Sequence, residues 1–132
     1  MKKETRNVIL AFVFSALTVG VVFFLINYNS TKNPVDSQHK KFGRKAVEIA
    51  DAYLDFEISA QEAYKQISDL YSARSSMPKT PESDEYRSGN ESVEMEVFLL
   101  SCDLSDAYFK NDSSDVLGSR NKLAETLGLS SR

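Results

Sequence analysis

The residues with ligating or reactive chemistry are few in this sequence, and most of them are carboxylates. Asp51, Asp55, Ser59 and Glu62 place four oxygen-bearing side chains within one short stretch. Asp51 with Asp55, and Asp103 with Asp106, also stand about one helical turn apart, the separation a carboxylate pair needs for general acid and base work. Such pairs are ordinary on solvated helices, and no neighbour in sequence is of a kind to perturb their ionisation. No catalytic residue is therefore assigned, and the chain is not expected to be an enzyme. His39 is the only histidine and Cys102 the only cysteine. One of each excludes a histidine metal cluster, a Ser/His/Asp triad and an internal disulfide framework, and no cofactor is expected. Cys102 falls among Phe98, Leu99 and Phe109 and reads as a small buried apolar residue.

The stretch that begins at Asp51 resembles the calcium loop of the EF-hand family. With Asp51 at the first loop position, Asp55 is fifth, Ser59 ninth and Glu62 twelfth, all acceptable there. The resemblance implies a metal site made of Asp51, Asp55, Ser59 and Glu62. Two positions depart from the pattern: Tyr53 replaces an oxygen ligand, and Phe56 replaces the glycine of the sharp turn, which an aromatic residue enters only with strain. The competing reading is a helical hairpin closed by a capping box, Ser59 with Glu62, and it needs no metal.

These residues must be positioned by helices. Residues 8–26, VILAFVFSALTVGVVFFLI, contain no charge, no proline and no amide. At about 1.5 Å per helical residue they reach ~28 Å, close to the hydrocarbon thickness of a bilayer. Preceded by a short basic tail, residues 1–7, this is the layout of a signal anchor. It is expected to be uncleaved, because the run is long and the residues after it are not small. The expected partners are therefore membrane lipid along 8–26 and an unidentified protein. Ala16 and Gly20 have the small-residue spacing through which a weak homodimer could form. The tail, with Lys2, Lys3 and Arg6, favours the inside, which places the rest of the chain outside the cytoplasm at the cell membrane.

Residues 27–41 are polar, contain Pro34 and read as a stalk. Residues 42–132 read as one small domain of about four helices, so the fold class is all-α: one transmembrane helix followed by a bundle. The first helix is expected from Phe42 to about Asp55, with Phe42, Ala46, Ile49, Ala50 and Tyr53 inward. The second follows Ser59 and buries Ala63, Ile67 and Leu70. Residues 75–89, with Pro78 and Pro81, read as a long loop, and Ser88 or Asn90 as the cap of a third helix. That helix carries two apolar rows, one of Val93, Val97, Leu100, Leu104 and Tyr108, the other of Met95, Phe98, Leu99, Cys102 and Phe109. Apolar on so much of its girth, it is expected to be central, with its aromatics in the core. A fourth helix, with Val116, Leu117, Leu123, Ala124 and Leu127 inward, ends at Gly128.

Beyond the tail the chain carries 13 basic and 18 acidic residues, a balance that favours neither nucleic acid nor anionic lipid. The expected function is a membrane-anchored interaction module, its interface on the 75–89 loop or the acidic helix faces. The alternative is a structural or regulatory subunit that acts through its transmembrane helix.

Overall fold

The computed structural model describes residues 33–77 and 84–132, together with four isolated helical positions, Asn7, Ala11, Ser15 and Thr18. Residues from Asn33 onward form one compact unit. Its elements are α1 (Ser37–Leu54), α2 (Ala60–Ala73) with a 3-10 turn at Arg74–Ser76, α3 (Asp84–Phe109) and α4 (Val116–Thr126), and no strand occurs among the described residues. The all-α bundle of four helices is thus the observed architecture. Among the described residues no helix is long and apolar enough to cross a membrane. The expected span 8–26 lies outside the described residues apart from Ala11, Ser15 and Thr18, as do Ala16, Gly20 and residues 27–32 of the expected stalk.

α1 and α3 pack directly on each other, and each also packs on both α2 and α4. Burial follows helical spacing: Ala46 and Ala50 of α1, Ile67 of α2, Val93, Val97, Leu100 and Leu104 of α3, and Val116 and Leu123 of α4 are fully enclosed. The core therefore draws on all four helices.

The starts of α1 and α3 and the end of the second helical segment differ from expectation. α1 begins at Ser37 rather than Phe42, because Asp36 caps it: the carboxylate accepts the His39 N–H at 2.8 Å. Residues 33–41 thus belong to the bundle, with Val35 and His39 buried. α3 begins at Asp84, so residues 84–89 of the expected loop are helical and 75–76 form the 3-10 turn, while 78–83 lie outside the described residues. Ser88 and Asn90 are interior to that helix rather than its caps, and Asn90 is buried against the segment before α1.

The larger correction concerns the second apolar row of α3. Met95, Phe98, Leu99 and Phe109 are 58%, 43%, 41% and 66% exposed, and Cys102 is exposed rather than buried. α3 is central on one side and bare on the other. Tyr108 is also partly exposed, and Leu117 of α4 faces outward. Tyr64 and Tyr71 of α2 cover this row only at its edge: Tyr71 meets the Phe98 ring with centroids 5.7 Å apart, and Tyr64 meets Phe109 at 5.3 Å.

Three of the four helices, α1, α3 and α4, are followed by a residue in the left-handed conformation. Gly128 (φ 72) closes α4 as expected, with Leu129 N–H donating to Ala124 and Gly128 N–H to Glu125. Asn111 (φ 53) follows α3, and Phe56 (φ 60) follows α1 with the same paired bonds, Glu57 N–H to Ala52 and Phe56 N–H to Tyr53. Glycine and asparagine suit that conformation; phenylalanine does not. With its ring 95% exposed, Phe56 recovers little by packing. Phe56→Gly is expected to stabilise the domain by about 1 kcal/mol, read as a higher urea midpoint at unchanged slope, and a lower midpoint would show that the ring contributes more than its backbone costs.

Candidate functional site

Three polar clusters and one apolar face are the places where this domain could do chemistry or bind. The first cluster lies where the chain enters α1. Asp36 and Asn90 bond reciprocally: Asp36 N–H donates to Asn90 Oδ1 at 3.1 Å, and Asn90 Nδ2 to Asp36 Oδ2 at 2.8 Å. His39 Nδ1 stands 2.9 Å from Asp36 Oδ1, and Nε2 stands 3.1 Å from Glu94 Oε1. Both ring nitrogens face carboxylate oxygens, so only the doubly protonated ring donates to both. Glu94 faces Arg74 at 3.8 Å, and Arg74 donates to the Tyr71 hydroxyl at 2.6 Å with its guanidinium 4.3 Å above that ring. Burial pushes the Asp36 carboxyl up, but the His39 backbone N–H, the His39 ring and the Asn90 amide outweigh it and hold it below the usual carboxylate range. A depressed carboxyl adds stability above its unfolded value, lost as pH falls through the folded one, so this cluster ties Asn33–Asp36 to α3 except in acid.

The second cluster holds the residues singled out for a metal. Asp51 accepts from Arg120 Nε at 2.8 Å and Arg120 Nη2 at 3.0 Å, and it also faces Arg132 at 3.2 Å; Asp55 pairs with Arg132. Ser59 caps α2 by accepting the Glu62 N–H at 3.1 Å, while the Glu62 side chain accepts from Gln66 at 3.3 Å. Asp51 and Asp55 are thus neutralised by guanidinium groups, while Ser59 and Glu62 serve the start of α2. Among the described residues no three or more His, Cys, Asp or Glu side chains are placed to hold a metal ion. Asp103 and Asp106, the other carboxylate pair, are likewise engaged, Asp103 with the Ser119 hydroxyl and Asp106 with Lys110 at 2.9 Å.

The third is Glu96, buried between α3 and α4. Its Oε1 accepts from Thr126 Oγ1 at 2.9 Å, while Oε2 is enclosed without a partner. Burial raises its carboxyl, and neither the Thr126 bond nor nearby Lys122 compensates. A raised acid favours folding below its unfolded value and weakens it as pH climbs through the folded one. Glu96→Gln is therefore expected to stabilise the domain by about 1 kcal/mol at neutral pH, with the gain vanishing in acid melts, where both side chains are uncharged. An equal gain at every pH would assign the effect to packing instead.

The apolar face is the outward row of α3. Beside it, a cleft of about 420 Å³ between α2 and α3 is lined by Tyr71, Arg74, Glu91, Glu94, Met95 and Phe98. On the other side of the bundle, α1 turns Lys40, Lys41, Arg44 and Lys45 outward, with Glu48 among them. Lys41 and Lys45 edge a shallow groove of about 320 Å³ whose apolar lining includes Phe42, Leu70 and Met77.

The sequence did not single out Asn90, Glu94 or Arg120 as partners, since their contacts span long separations along the chain. Asp36 did carry a signal, an acid three residues before a buried polar side chain at a helix start. Comparison with known protein families, with curated proteins and with solved structures finds no match.

Proposed function

We propose that the chain is a single-pass membrane protein that displays this helical domain outside the cytoplasm as a protein-interaction module, without catalysis of its own. The apolar run at 8–26 and its basic tail support the anchor. The carboxylates that could serve chemistry support the non-catalytic reading, because Asp51, Asp55, Asp103 and Asp106 are each held by a basic or hydroxyl group. The observation that carries the interaction reading is the outward row of α3. Five apolar side chains aligned on one exposed helix face are what a bound partner covers. This row replaces the 75–89 loop as the expected interface.

A photo-crosslinking amino acid at Leu99, in cells, tests the reading, with one at exposed Lys65 of α2 as control. Adducts from Leu99 and none from Lys65 are expected, and the reverse would remove the α3 face as the interface. Protease digestion of a C-terminal tag in intact cells is expected with the domain outside. Protection until lysis would reverse the topology while leaving the Leu99 result standing.

A further inference from the structure

We propose that the partner of the α3 face is the α1 face of a second copy, so that domains join head to tail. The inference rests on the interaction-module reading and names its partner. Charge is the first argument. Of the seven acidic residues of α3, Glu96 is buried, Glu94 faces Arg74 and Asp103 the Ser119 hydroxyl, which leaves Asp84, Glu85, Glu91 and Asp106 outward beside the bases Arg87 and Lys110, whereas the first half of α1 carries Lys40, Lys41, Arg44 and Lys45 with no acid before Glu48. A domain of net negative charge thus keeps a concentrated basic patch on the helix packed against its most acidic one.

Shape and chemistry agree with the charges. From Met95 to Phe109 the exposed row of α3 is chiefly aromatic and aliphatic, with the exposed acids Asp84, Glu85 and Glu91 on the turns before it and the Tyr71–Phe98 cleft alongside. Those of α1 are long cationic side chains, whose methylene stems cover apolar surface while their heads reach carboxylates or lie over aromatic rings. An α3 face set against another α3 face would bring acid against acid, which costs free energy. Because α1 and α3 pack against each other through their buried sides, their outward faces point away from one another. One molecule cannot close the contact on itself. The contact is heterologous, leaving a free α3 face at one end and a free α1 face at the other.

Sedimentation velocity of the full chain in non-ionic detergent tests this, in an Ala16→Leu/Gly20→Leu background that removes any pairing of the apolar run. The parent is expected to form concentration-dependent species larger than a dimer at ~0.05 M salt and to lose most of them at ~0.5 M. Met95→Ser/Leu99→Ser and Lys41→Glu/Lys45→Glu, all at exposed positions, are each expected to be monomeric alone, with helical content unchanged by circular dichroism. Mixed in equal amounts, they are expected to yield a dimer and nothing larger, since each supplies the one intact face the other lacks. A monomeric parent at low salt overturns the inference, as does association by either variant alone or a mixture that stays monomeric. In those cases Leu99 adducts to a different protein would leave the interaction-module reading intact.

Discussion

Gly89→Ala is expected to cost about 2–3 kcal/mol and to loosen the segment before α1, although the residue lies in a helix where alanine is normally the better choice. A β-carbon at Gly89 would fall 2.1 Å from the Pro34 carbonyl oxygen and 2.8 Å from its carbon. Those are backbone atoms, so no rotamer change relieves the contact and Asn33–Asp36 must move off α3. That movement breaks the reciprocal bonds between Asp36 and Asn90 and disturbs the Asp36 cap of α1. Hydrogen exchange separates this from a general loss of stability. The first-turn amides of α1, His39 above all, should exchange faster by a larger factor than those of Leu100 and Leu104 in the core. Unchanged protection at His39 would mean that Asn33–Asp36, the strap that crosses α3 before α1, does not depend on the glycine.

Arg120→Ala is the second large effect, at about 2–4 kcal/mol. The guanidinium is buried, makes two bonds to Asp51 and donates to the Ser130 carbonyl at 2.6 Å, joining α1, α4 and the segment after α4. Arg120 is the main influence holding the Asp51 carboxyl below its ordinary value; burial opposes it and Arg132 assists. Stability from that depression is present above the unfolded carboxyl range and is lost as pH falls through the folded value. The variant should therefore show a smaller loss of stability between neutral pH and pH ~3 than the parent. Arg120→Lys should recover only part of the loss, since an ammonium cannot form the same paired bonds. If the lysine variant matches the parent in melting and pH profile, the planar fork is not what matters.

The bundle was legible where periodicity and capping agree. The start of α2 at Ser59, the end of α4 at Gly128, and the buried rows through Ala46, Ile67 and Val93 follow from spacing and helix-end chemistry. What sequence patterning does not convey is which of two apolar rows on one helix faces inward. Val93, Val97, Leu100 and Leu104 are no more hydrophobic as a set than Met95, Phe98 and Leu99. Only the packing of α1, α2 and α4 on one side of α3 decides between them. The strap escaped for another reason. Asn33–Lys41 reads as polar spacer because its order depends on Asn90 and Glu94, more than fifty residues away. The oxygen-bearing residues of the resembled calcium loop are legible in the sequence, but Arg120 and Arg132, which pair with Asp51 and Asp55, come from a distant part of the chain.

The strap also determines how the domain would respond to force. Tension arriving along the chain from residue 32 meets Asn33–Asp36 before it meets any helix. The first links to bear the load are the Asn90 amide and the His39 ring between its two carboxylates, rather than the apolar core. Those polar links lie outside the core in which Leu100, Leu104 and Leu123 are enclosed, so under such tension they are expected to part before that core does.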